Sequence, residues 1–131
     1  MTRRDAEIYY GKYHAGEKPR CLARVADNEG TNITQSDVSS IAWSLWDMSD
    51  TSAAVASGTL LASNVITDTP TDDAAWTVDD TGFNFAWTWT YDTSNSGGKT
   101  LRSEVVITLT SGEIIVLIFE GRFDTVYSLA S

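Results

Sequence analysis

The sequence predicts an all-β sandwich, on three observations. Phe83, Phe85, Trp87, Trp89 and Tyr91 occupy every second position, with Asn84, Ala86, Thr88 and Thr90 between them. Side chains on a strand alternate between faces, so the five rings project to one side and form a dry, core-facing aromatic surface. Leu101 to Thr110 alternates in the same way. Glu113 to Phe123 follows it across Ser111-Gly112, read as a two-residue hairpin turn. Turn clusters separate short apolar segments along the chain, and almost no stretch keeps a helical period.

Residues 1–18 carry Ile8, Tyr9, Tyr10 and Tyr13 among charges and two glycines. Neither period holds there for long, so this segment reads as an extended arm outside the body, ending at Pro19. Arg20 to Ala26 is the first expected strand, and Asp27 to Asn32 a turn cluster. Ile33 to Val38 is a short crossing segment. Ser40 to Asp47 is a strong strand, with Ile41, Trp43 and Leu45 alternating against Ala42, Ser44 and Trp46. Met48 to Gly58 reads as a loop, and Thr59 to Thr67 holds a short or edge strand. Asp68 to Asp73 reads as a second loop. Ala75 to Val78 is a short strand before the turn Asp79 to Gly82. Asp92 to Lys99 is a flexible connection. Glu113 to Phe123 is apolar on both faces, which places it centrally or under a cover. The expected organisation is an arm over 1–18, a body of about seven antiparallel strands over 19–123 and a tail over 124–131. Cys21 is the only cysteine. The paired cysteines of an antibody domain are therefore missing, so any likeness of the sandwich to an Ig domain is one of architecture. A small barrel is the competing fold.

With 131 residues and 42% hydrophobic content, the chain suits one domain. No apolar run approaches the roughly 18 residues of a membrane-spanning helix. The start, Met-Thr-Arg-Arg, has no apolar stretch of the secretory kind, so synthesis in the cytoplasm is expected. Charge is unevenly placed. Residues 1–24 hold six of the nine Lys and Arg against three acids, whereas residues 25–131 hold fifteen acids against three Lys and Arg. An acidic body repels nucleic acid and anionic membranes, and neither is an expected partner. The basic arm suits an acidic surface, including that of a neighbouring copy in a homo-oligomer.

No set of residues amounts to an active site, and the chain reads as a non-enzyme without cofactor or metal. His14, the single histidine, lies in the arm with no paired nucleophile or carboxylate in view. Cys21 alone reads as a buried thiol. Asp68, Asp72, Asp73, Asp79 and Asp80 form an acidic stretch without the order of a calcium loop, and read as turn formers. The phenylalanines within the aromatic face favour a core over a sugar platform. Trp46 and Trp76 fall outside that face and are the candidates if the domain binds carbohydrate.

The stretch from Asn32 to Ile41 leads into a strand ending Trp46-Asp47. Trp76 to Asp79, Thr81-Gly82-Phe83-Asn84-Phe85 and a final hairpin with Glu104, Ser111-Gly112-Glu113 and Phe119-Glu120 follow. In this order of features, over roughly residues 20–123, the chain resembles the Ig-like structural proteins of tailed-bacteriophage virions. These decorate or cement capsids or sit in the neck and tail. The resemblance implies a non-enzymatic virion component whose partners are the major capsid protein or other virion proteins. Within that reading, Arg3, Arg4, Tyr9, Tyr10 and Tyr13 of the arm would lie on a neighbouring subunit. The arm itself matches no fixed pattern of that group.

Overall fold

The computed structural model describes residues 7–72, 76 and 81–125. Within them are eight strands: β1 (Glu7–His14), β2 (Arg20–Ala23), β3 (Val38–Asp47), β4 (Ala56–Leu60), β5 (Ile66–Thr71), β6 (Phe83–Thr88), β7 (Thr100–Leu109) and β8 (Ile114–Asp124). One helical turn, α1 (Ala62–Val65), and a 3₁₀ turn at Gln35–Asp37 complete the regular structure. The strands form a five-stranded sheet ordered β1-β8-β7-β3-β4 and a three-stranded sheet ordered β2-β6-β5. The sets β8-β7-β3 and β2-β6-β5 have the strand order of an immunoglobulin-type sandwich. The fold is an all-β sandwich, as the alternation predicts.

The two sheets meet through their apolar faces. Ile41, Leu45, Leu101, Val105, Ile107, Leu117 and Phe119 of the larger sheet share one core with Cys21, Ala23, Ile66, Phe85 and Trp87 of the smaller. Rings bridge the layers: Trp43 to Trp87 at 5.3 Å, Phe85 to Phe119 at 5.9 Å and Trp89 to Phe123 at 6.0 Å between centroids. Of the predicted aromatic face, Phe83, Phe85, Trp87 and Trp89 are buried, and Tyr91 is half-buried beyond the end of β6. Phe83 lies outside the main cluster, against Trp76 at 6.0 Å.

Several elements differ from the sequence reading. The largest correction concerns the arm. Glu7–His14 is a strand of the body, paired in parallel with β8 from Glu7↔Leu117 to His14↔Asp124. Gly11 interrupts the apolar alternation of this segment, and its partner lies far away in sequence, so local pattern concealed it. This pairing makes the large sheet mixed rather than purely antiparallel. It places β8 between β7 and β1, with Ile118 flanked by Glu104 and Ile8. Ala56 to Gly58 and Asp68 to Thr71, read as loop, belong to β4 and β5. The β7–β8 connection is a three-residue loop, Thr110 to Gly112, closed by Leu109 N–H on Glu113 O at 2.9 Å. A two-residue Ser-Gly turn needs positive φ at the serine, and among the described residues only glycines take positive φ; Gly112 has φ +93°. Of the expected strand at Ala75 to Val78 only Trp76 is described, outside any strand, and the tail after Thr125 lies outside the described residues.

Asn84 departs most from its expected place. The alternation places it on the polar side of β6, yet it is 1% exposed. Its Oδ1 accepts the Val25 N–H at 2.6 Å, and its Nδ2 donates to the carbonyls of Val25 at 2.8 Å and Ile33 at 3.2 Å. β2 ends at Ala23, so the side-chain amide does beyond that point what a strand backbone would do. Asn84→Ala would leave these buried backbone groups without the amide. The expected cost is about 2–4 kcal/mol, read from urea unfolding. A loss below about 0.5 kcal/mol would show that water replaces the amide without penalty.

Candidate interaction surface

β1 and β8 are shaped to each other by two glycines. Gly11 and Gly121 are partners in register. The Tyr13 ring lies over both, and a Cβ built on Gly121 would stand 2.9 Å from its Cδ2. Tyr13 then stacks on Phe123 at 5.4 Å, and Tyr9 stacks on Phe119 at 5.2 Å. Both rings pack against the core. Burial pushes the Tyr13 phenol above its ordinary pKa, with smaller contributions in the same direction from Cys21 and Glu17.

The alternate residues of β1 face outward. Tyr10 is 71% exposed and Ile8 41% exposed. Ile8 lies beside Ile118, and Lys12 beside Arg122. Of the three arm tyrosines expected to meet a neighbour, Tyr9 and Tyr13 are therefore packed on their own chain, and Tyr10 is the one presented. Arg3 and Arg4 lie outside the described residues. Among the described residues no strand pairs with the far edge of β1. The other sheet edges are shorter or interrupted. β2 has four residues and β4 five, and β5 carries Pro70 and an irregular register. β1 has eight residues with neither proline nor bulge. An edge of that kind is a template for further pairing.

The candidates for chemistry are dispersed. His14 ends β1, exposed, with its backbone N–H on Glu17 Oε1 at 2.9 Å. Cys21 is 3% exposed, and burial pushes its thiol pKa up to about 12, opposed in part by the neighbouring Trp89 indole. The thiol is thus protonated at neutral pH and a poor nucleophile. Trp89 Nε1 is itself buried without a well-formed hydrogen bond, so the indole–thiol approach is a weak contact. Asp68 and Asp72 are exposed, and Asp68 Oδ1 accepts the Gln35 N–H at 2.7 Å. Asp73, Asp79 and Asp80 lie outside the described residues. Among the described residues no three His, Cys, Asp or Glu gather as metal ligands. Of the two tryptophans weighed for sugar, Trp76 is only 9% exposed. Trp46 is half-buried, and its Nε1 donates to Ser44 Oγ at 2.9 Å. Trp46 lines a hollow of about 270 Å³ with Met48, Thr51, Arg102 and Glu104.

No protein-family model matches the chain, and no curated protein or solved structure matches it.

Proposed function

We propose that this chain is a non-enzymatic structural protein of a tailed-phage virion, a cement or decoration protein that braces neighbouring capsid subunits. The observation that carries the reading is β1: an uninterrupted edge strand with Tyr10 and Ile8 exposed, mounted on a rigid sandwich. Such a surface suits docking by main-chain pairing and aromatic burial. The order of sequence features that resembles Ig-like virion proteins supports the same reading. Bound across a seam, the domain would add buried area that resists separation of the capsid subunits by packaged DNA. A neck or tail position is the alternative within this class.

Two measurements test the proposal. Quantitative protein composition of purified virions distinguishes the positions: a cement protein is present in hundreds of copies, a neck or tail ring in about a dozen. The surface is tested with Ile8→Ser/Tyr10→Ser. Both side chains are exposed, so the melting temperature is expected to stay within a few degrees. Binding to particles lacking the protein is expected to fall at least tenfold. Undiminished binding by the variant would place the interface elsewhere on the sandwich.

A further inference from the structure

We infer that copies of this chain associate head to tail, the acidic hairpin end of one copy seating in a basic groove at the opposite end of the next. The inference goes beyond the virion reading and does not depend on it.

The groove lies on the outer face of the large sheet, encloses about 470 Å³ and is lined by Tyr10, Gly11, Lys12, Thr100, Glu120 and Arg122. Lys12 and Arg122 are cross-strand partners. Like charges placed opposite each other cost stability, so this pair is a local conflict in the fold. The acid beside them does not resolve it, because Glu120 is held by Arg102 at 2.9 Å. Among the described residues neither Lys12 nor Arg122 makes an ion pair, and both are exposed. Asp124, also exposed, follows two residues after Arg122. Two unopposed cations, an exposed ring and a glycine floor suit a carboxylate-bearing surface.

That surface is found on the same molecule at its other end. β8 runs from the β7–β8 loop to the groove, and from Ile114 to Glu120 and Arg122 it spans about 20–26 Å at the usual strand rise. Around that loop, Asp27, Glu29 and Asp37 line a hollow of about 270 Å³, with the buried Glu113 accepting the Asn28 N–H at 2.9 Å. Among the described residues no Lys or Arg lines it. Of the seven described Lys and Arg, Lys12, Lys18, Arg20, Lys99, Arg102 and Arg122 sit toward the groove end of their strands or in the turns beyond it, whereas Arg24 follows the end of β2 and lies at the hairpin end. At physiological salt the Debye length is about 8 Å. The two ends are therefore too far apart to neutralise each other within one copy. The same screening confines the repulsion expected from a net charge of −9 to surfaces in contact. Between copies, the contacting surfaces are the complementary ones. The contact joins different patches and is heterologous, so it propagates into rings or rows.

The test uses the purified full-length chain in sedimentation velocity. At about 0.15 M salt, concentration-dependent association is expected, and at about 1 M salt it is expected to disappear. Lys12→Glu/Arg122→Glu removes the groove. Asp27→Asn/Glu29→Lys weakens the acidic end, the asparagine keeping the Oδ1 that accepts the Glu29 and Thr31 N–H groups at 2.9 and 3.0 Å. Each variant alone is expected to sediment as a monomer. Their equimolar mixture is expected to form dimers and nothing larger, because one native contact is restored per pair. Thermal melting verifies that each variant is folded, with Lys12→Ala/Arg122→Ala as the milder substitute. A wild-type chain that stays monomeric at every concentration and salt would overturn the inference. So would variants that associate like wild type, or a mixture that shows no rescue, which is the outcome for two-fold pairing through the free edge of β1.

Discussion

Removal of residues 1–14 is expected to abolish cooperative unfolding of the domain. β1 supplies Tyr9 and Tyr13 to the core and is the outer partner of β8 from Leu117 to Asp124. Its loss strips the stacked rings from Phe119 and Phe123 and turns β8, dry on both faces, into an edge. Truncation of two partly buried aromatics costs about 2 kcal/mol each, and the newly wetted strand adds to this. The sum, on the order of 5 kcal/mol, is comparable with the whole stability of a small domain. Far-UV circular dichroism on heating checks it. A truncated chain that melts sharply within a few degrees of the full one would show that β1 is peripheral. The same result bears on the interaction surface. Lost binding after deletion of β1 cannot be separated from lost folding, which is why the exposed pair Ile8 and Tyr10 is the informative substitution.

Trp87→Ala is the second large effect expected. Trp87 is 7% exposed, lies between β2 and β5 in the small sheet, and faces Trp43 across the sandwich at 5.3 Å. Its neighbour Cys21 sits in register beside it. Truncation removes the transfer free energy of the ring and leaves a cavity that a sheet held on both sides cannot close. The expected destabilisation is about 3–5 kcal/mol. Equilibrium urea unfolding measures it, with the slope unchanged if the native fold is kept. A change below about 1 kcal/mol would mean that Trp43 swings into the vacated space.

The strands that declare themselves locally were legible in the sequence. β3 and β7 alternate over ten residues, β8 is a continuous apolar run after a turn, and the rings around β6 leave one dominant reading of their period. What stayed hidden depends on contacts distant in sequence. Tyr9-Tyr10-Gly11-Lys12-Tyr13 shows no clean period until Gly11 is set against Gly121 and the Tyr13 ring fills the slot between them. Asn84 resembles any polar residue on an outward face until the end of β2 leaves Val25 in need of partners. The loop at Thr110 to Gly112 is longer than read because Ser111 does not adopt positive φ. The interaction surface was legible in part. An interface role for tyrosines near the start of the chain could be argued from composition. Which of them turns outward is decided by the parallel register with β8.

That register also sets the order in which the chain can fold. The partners in β1 and β8 are separated by about 110 residues, so their pairing ranks among the most non-local contacts a domain of this size can make. During synthesis at ~5–20 residues per second, β1 leaves the ribosome first and waits several seconds or longer for β8. Through that interval Tyr9, Tyr10 and Tyr13 have no native partner, and the nascent segment is exposed to chaperones and to other nascent copies. Closure of β1 onto β8 is expected among the last steps of folding, with unfolding beginning at the same seam.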